Sequence, residues 1–186
     1  MAYFIRAASL AGFEDLVRHC GENPMQLLQE VGILACQLRN PDELISYQKL
    51  LDVLELGANR CNLSTFGLRL SSSQGMKCMG LVGAYMCQQK TVEEALRIGQ
   101  KYIYMHAQGM DLSFNIVDDI YCQVEYQQLS IPEFTSSQKP QLTLGVIFKT
   151  LNDLCGLKWR AKKVLFKQPP NKDDIDFYQQ FFACDI

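Results

Sequence analysis

The sequence predicts an α+β fold: a helix-rich first half packed on a small antiparallel sheet. Three observations point there. Apolar residues recur at helical spacing from Phe13 to His106, punctuated by stop and start signals. After Gly109 the period changes to strict alternation, the mark of half-buried strands. A chain of 186 residues that is 48% hydrophobic and 20% charged can bury one sizeable core.

Phe13, Leu16, Val17 and Cys20 share a helical face, and Gly21 can take the left-handed position that stops the helix. Asn23-Pro24 then supplies an N-cap and a proline at the first helical position, followed by Leu27, Leu28 and Val31, with Gly32 as the stop. Asn40-Pro41 repeats the start signal with Glu43 in the capping-box position. A longer helix is expected from there, with Leu44, Tyr47, Leu51 and Leu54 as its core stripe. Cys78 to Gln89 carries no charge and is too short to span a bilayer, so it predicts a helix buried on most sides. Thr91 and Glu94 form a second capping box. Behind it, Val92, Ala95, Leu96, Gly99, Tyr102, Ile103 and His106 make one apolar stripe, opposite Glu93, Arg97, Gln100 and Lys101.

Leu112, Phe114 and Ile116 alternate with polar residues, as do Ile120, Cys122, Val124 and Tyr126, which predicts two strands joined by a turn at Asp118-Asp119. Residues 130–139 read as a loop. Pro140 opens a helix with Leu144, Ile147, Phe148, Leu151 and Leu154 inward and Gly156 as its stop. Lys162 to Lys167 reads as a third strand, and Asn171 as the cap of a last helix through Ile175, Tyr178 and Phe182.

A net charge of −2 argues against this chain gripping nucleic acid by itself. Arg6 followed by Glu14-Asp15, with no apolar h-region, argues against a signal peptide and for a cytoplasmic protein without a membrane anchor. The eight cysteines form no C-x-x-C pair and are expected as free, mostly buried thiols, with no metal and no cofactor. No phosphate loop, dinucleotide fingerprint, zinc-protease helix or nucleophile elbow occurs, so an enzyme is not expected. His19 and Cys20 are helical neighbours pointing about 100° apart, which is not a dyad. Lys158, Arg160, Lys162, Lys163 and Lys167 form a basic run around Trp159, read first as a solvated strand face and second as an anion or partner contact.

The candidate site lies at the helix-to-strand transition. Met76, Met79, Met86, Tyr102, Met105, Phe114 and Tyr121 gather there, and such residues either close a core or line an apolar pocket. A pocket is expected between the 91–106 helix, the uncharged 78–89 segment and the first strand. Met79, Tyr85, Met86, Tyr102, Met105, His106 and Phe114 are its candidate effector-binding residues. Tyr102 and His106 stand at (i, i+4), so both can point one way. The competing reading makes the same residues core, with His106 a hydrogen-bonded helix-end residue.

An ordered set of short patterns also resembles a known family. Phe66 to Leu70 reads F-G-L-R-L, Gly80 to Met86 reads G-x-x-G-x-x-M, Thr91 to Leu96 reads T-x-x-E-A-L, and Lys101 to His106 reads K-Y-x-x-M-H. Ile5 to Ala8 with Gly12-Phe13, the segment Trp159, Val164, Phe166 and Pro169, and Tyr178 with Phe181-Phe182 extend the match over nearly the whole chain. The set resembles the N-terminal, arabinose-binding-like sensor domain of AraC/XylS-type transcription regulators. The resemblance implies one domain over 1–186 that binds a small effector, is able to form a homodimer, and reaches DNA only through a C-terminal helix-turn-helix domain absent from this chain. The alternative reading is a stand-alone small-molecule-binding or protein-interaction module.

Overall fold

The computed structural model describes residues 3–117, 121–128, 136–156 and 158–186. In chain order the elements are β1 (Phe4–Arg6), α1 (Phe13–His19), α2 (Pro24–Glu30), β2 (Leu44–Ser46), α3 (Tyr47–Arg60), α4 (Phe66–Ser71), α5 (Leu81–Cys87), α6 (Val92–Tyr102), β3 (Met110–Ile116), β4 (Cys122–Gln128), α7 (Gln138–Cys155) and α8 (Ile175–Phe182). Short 3-10 turns connect several of them, among them Ala7–Leu10, Met76–Met79 and Ile103–Met105. The fold is α+β, as expected, with the later strands β3 and β4 forming an antiparallel hairpin and β1 and β2 a second small sheet.

Several sequence signals act as read. Asn23 Oδ1 accepts from Met25 N–H at 3.0 Å with Pro24 at the first helical position. Gly21 is left-handed (φ 84°) directly after α1. Thr91 Oγ1 accepts from Glu94 N–H at 3.1 Å while the Glu94 carboxylate accepts from Thr91 N–H at 3.2 Å, closing the capping box of α6. Leu112 pairs across the hairpin with Tyr126, and Phe114 with Val124. The expected turn at Asp118-Asp119 and most of the 130–139 loop lie outside the described residues.

Four expectations are corrected. Asn40-Pro41 does not start a helix: Asn40 Oδ1 accepts from Asp42 N–H in an Asx turn, and the chain then pairs as β2 with β1 before α3 begins at Tyr47. Leu44 is therefore an exposed strand residue rather than core. The 78–89 segment is not one buried helix. It breaks at Gly80, and α5 beyond it buries Val82, Gly83 and Met86 while Leu81 and Tyr85 face out. Residues 162–167 form no strand. Lys163 makes one isolated bridge to Asp185, and Val164 and Phe166 turn inward by packing on aromatic rings instead. All eight cysteines are free, but only Cys78 is buried. Cys20 and Cys61 cap the ends of α1 and α3, and Cys87 and Cys155 are the last residues of α5 and α7, where the chain leaves the core. Two start positions also shift: α7 begins at Gln138, ahead of Pro140, and α8 at Ile175 after a 3-10 turn.

The longest helix, α7, is held on three sides. Its N-terminus is capped from α3: the Glu55 carboxylate accepts from the backbone N–H of Ser137 (2.7 Å) and Gln138 (2.9 Å), answering amides that the helix itself leaves open. Near its C-terminus, Asp153 Oδ2 accepts from Met76 N–H at 3.0 Å. Along its length it lies against α4, where Gly67 N–H donates to Gln138 Oε1 at 3.0 Å. A methyl group at Gly67 would collide with the Gln138 carbonyl, and one at Gly145 with Ser71 Oγ. On another face Phe148 packs against Phe182, with ring centroids 5.1 Å apart and nearly perpendicular, and joins Trp159 and Phe181 in an aromatic cluster.

The Gly67→Ala variant tests this docking. The new methyl meets backbone that cannot move without shifting α7. A loss of about 1–3 kcal/mol is expected, which corresponds to a melting temperature lower by roughly 2–4 °C per kcal/mol in thermal circular dichroism.

Candidate functional site

The face of α7 not used for docking walls a cavity of about 60 Å³, room for a few waters or part of a small molecule. The 3-10 turn and α5 contribute Met79 and Met86. From α6 and its 3-10 extension come Leu96, Gly99 and Ile103, and from the hairpin Met110, Leu112 and Val124. The α7 wall is Leu142, Val146, Ile147 and Leu151, interrupted by Lys139, Thr143 and Thr150. Ser9, Gln74 and His106 complete the polar lining.

Gly80 follows the cavity-lining Met79. It is left-handed (φ 58°), and the Arg6 guanidinium packs where a side chain would stand. Arg6 is buried, donates from Nη1 to the Cys78 carbonyl at 2.6 Å and pairs through Nη2 with Asp42. The turn that carries Met79 is thereby fixed to β1.

His106 is 7% exposed. Its backbone carbonyl accepts from Arg6 N–H at 3.0 Å, which locks the residue to β1. Nε2 stands 3.4 Å from Ser9 Oγ, and Nδ1 is buried without a hydrogen-bond partner. Burial pushes the imidazole pKa down to about 3, and the nearby Lys139 and Arg6 cations push the same way, against a weaker opposite influence of the Cys78 carbonyl. The ring is therefore neutral at physiological pH.

Lys139 is 5% exposed. Its Nζ donates to Thr143 Oγ1 at 2.6 Å and lies 5.7 Å from the centre of the Tyr47 ring. Among the described residues no carboxylate pairs with it. Burial lowers its pKa from 10.5 to about 8. Thr150 Oγ1, on the same helix face, is also buried without a partner. Among the described residues, the mostly apolar chamber thus holds a cation answered by a hydroxyl and a ring face, together with two further polar atoms without a hydrogen-bond partner.

Of the residues singled out from sequence, Met79, Met86 and His106 line the cavity. Tyr85 and Met105 are exposed, and Tyr102 is half-buried outside it, with its ring 6.2 Å from that of Tyr85. Phe114 is half-buried beside the Arg97 guanidinium, 5.4 Å from its ring centre. Ser9, Gln74, Lys139, Thr143 and Thr150 escaped the sequence reading. Lys139 had been assigned to a loop, although Lys139, Thr143 and Thr150 repeat at i, i+4 and i+11, a polar line on one face of an otherwise apolar helix. The basic run at 158–167 lies apart from the cavity. Its Lys162 sits 3.8 Å over the Tyr121 ring. His19 is exposed. No group of three metal-ligating side chains occurs among the described residues, and no helix there is long and apolar enough to cross a membrane.

The chain belongs to the N-terminal domains of AraC transcription regulators: residues 21–186 match the family described as the arabinose-binding domain of the AraC transcription regulator. Among individual proteins it is similar to the HTH-type transcriptional regulator VirS of Mycobacterium tuberculosis, from strains CDC 1551 / Oshkosh and ATCC 25618 / H37Rv. Each is 29% identical over 185 residues, covering 98% of this chain and 54% of the relative. The chain thus spans about half the length of the curated relatives it matches.

The cost of burying Lys139 is measurable. Its pKa is lower in the folded chain than in the unfolded one, so between about 8 and 10.5 the unfolded chain holds a proton that the folded chain lacks. Stability is therefore highest above that window, falls as pH drops through it, and stays reduced below about 8. The Lys139→Met variant removes the charge and keeps the length. It is expected to be more stable than the parent by about 1–3 kcal/mol at pH 7, with the difference shrinking toward pH 10.5. Urea denaturation at several pH values checks this.

Proposed function

We propose that this chain is the effector-sensing domain of an AraC-type transcription regulator and that the cavity receives the effector. A small molecule seated there favours one arrangement of the domain over another and so biases a helix-turn-helix DNA-binding domain joined to it. DNA contact, homodimer formation and a cytoplasmic location belong to this reading of the whole regulator. It assigns no catalysis to the chain.

One observation carries the proposal: among the described residues, His106 Nδ1 and Thr150 Oγ1 are buried without a hydrogen-bond partner, and both residues line the cavity. Leaving a buried polar atom unsatisfied costs about 1–3 kcal/mol, and native proteins rarely retain such groups without a reason. A ligand that fills the chamber can supply the missing partners. Met79 and Met86 suit such a site because unbranched, polarisable side chains repack around different contents. Membership of a transcription-regulator family supports the same reading.

Gly99→Leu is the direct test. A Cβ at Gly99 meets the movable end of Met86 at 3.1–3.3 Å and Leu112 Cδ2 at 3.7 Å, and all three residues line the cavity. In a regulator carrying this chain ahead of its DNA-binding domain, the variant should lose effector response in a reporter assay, with the melting temperature changed by only a few degrees. Tyr102→Phe, outside the cavity, should leave the response unaltered. Full response in Gly99→Leu would count against the cavity as the effector site.

A further inference from the structure

We infer that the ligand of this cavity is an apolar monocarboxylate, its carboxylate paired with Lys139 and its tail lying along α7. The inference rests on the effector-site reading above and narrows it to one chemical class.

The charge argument comes first. Two buried cations, Arg6 and Lys139, both act on His106, and of the two only Lys139 lines the chamber. Arg6 is satisfied by the Asp42 carboxylate and the Cys78 carbonyl. Lys139 has three N–H donors, of which Thr143 Oγ1 takes one. Among the described residues Lys139 has no counter-ion, and a buried ammonium in that state is among the costlier arrangements in a protein interior. An anionic ligand would be the missing partner. Backbone amides at the start of α7 cannot replace the side chain as anchor, because Glu55 and Ser136 already accept from Gln138 and Lys139 N–H. The neutral His106 ring beside Lys139 adds no charge to repel a cation or attract a second anion.

Shape and polarity supply the rest. Lys139 and Leu151 both line the cavity from one helix. Twelve residues at 1.5 Å each separate them by roughly 18 Å. Between them the wall is Leu142, Val146 and Ile147, with Thr143 and Thr150 as its two hydroxyls. A sugar needs donors and acceptors on every side, whereas the α6 and hairpin walls (Leu96, Ile103, Met110, Leu112, Val124) offer it none from their side chains. A single-headed amphiphile matches them. One unpaired cation also favours one carboxylate over two.

The test uses hexanoate and benzoate as probes, with hexanamide, benzamide and L-arabinose as controls, by calorimetry on the 186-residue chain and its Lys139→Met variant. At pH 7 the acids should bind at least about tenfold more tightly than their amides, a difference of about 1.4 kcal/mol, and Lys139→Met should erase the difference. A second arm needs no variant. Raising the pH past the point where Lys139 releases its proton should weaken acid binding and leave amide binding unchanged. The groups facing Lys139 are Tyr47 from α3, Thr143 from α7 itself, Cys78 from the 3-10 turn and His106, and Arg6 from β1 acts on the last two. Burial raises the pKa values of Tyr47 and Cys78, so neither is the first to titrate in that range. Equal binding of acids and amides, or binding of arabinose with the acids silent, would overturn the carboxylate inference and leave the cavity reading standing. No probe binding, with Gly99→Leu still abolishing the effector response, would do the same. No probe binding and a normal response in Gly99→Leu would remove both.

Discussion

The contact between α4 and α7 is the constraint on which the rest of the structure depends. It requires two backbones to approach so closely that Gly67 and Gly145 admit no side chain. The approach is fixed by Gln138, whose Oε1 accepts from Gly67 N–H and whose Nε2 donates to the Ser64 carbonyl at 3.1 Å. With one face committed to α4 and another to the aromatic rings around Phe182, α7 turns its remaining face to α6 and the hairpin. That face carries Lys139, Thr143 and Thr150, so the docking of α7 decides what the cavity contains. The Glu55 carboxylate at the helix start adds a tertiary cap that no local sequence motif encodes.

The cavity lining opposes stability. Lys139, buried without a carboxylate among the described residues, weakens the fold at neutral pH, and the unpaired His106 Nδ1 and Thr150 Oγ1 weaken it further. Hydrophobic residues at these positions would serve the core better. A domain whose effector supplies the missing partners recovers that free energy only when occupied. This is the thermodynamic form of a sensor: its ligand stabilises one arrangement by as much as its differential affinity allows.

Local chemistry made much of the fold legible in the sequence. Asn23-Pro24, the Thr91–Glu94 box and the alternation through Leu112 and Phe114 each act over a few residues, and each forms as read. The patterns that resembled the family now have physical reasons: Gly67 is the close contact with α7, Gly80 makes room for Arg6, and Met86 lines the cavity. What failed depended on distant partners. Asn40-Pro41 carries a helix-start signal, but pairing of β2 with β1 claims the residues after it. Leu81 and Tyr85 look like core in an uncharged run, yet α5 packs against α6 and the Met76–Met79 turn with its other residues and leaves these two exposed. The α7 half of the site is hidden because Lys139 ends a Pro- and Ser-bearing stretch that reads as loop, and the Glu55 carboxylate, 83 residues away from Gln138, joins Ser136 in capping the helix there.

The central claim is that the chamber walled by α7 is where the effector binds. Methyl-labelled methionine NMR tests it most directly, because Met79, Met86 and Met110 line the chamber while Met25 and Met105 are exposed elsewhere. A compound that triggers the regulator should shift the three cavity methyl signals saturably and leave Met25 and Met105 in place. Saturable shifts confined to Met25 or Met105, with the cavity signals unmoved, would contradict the account.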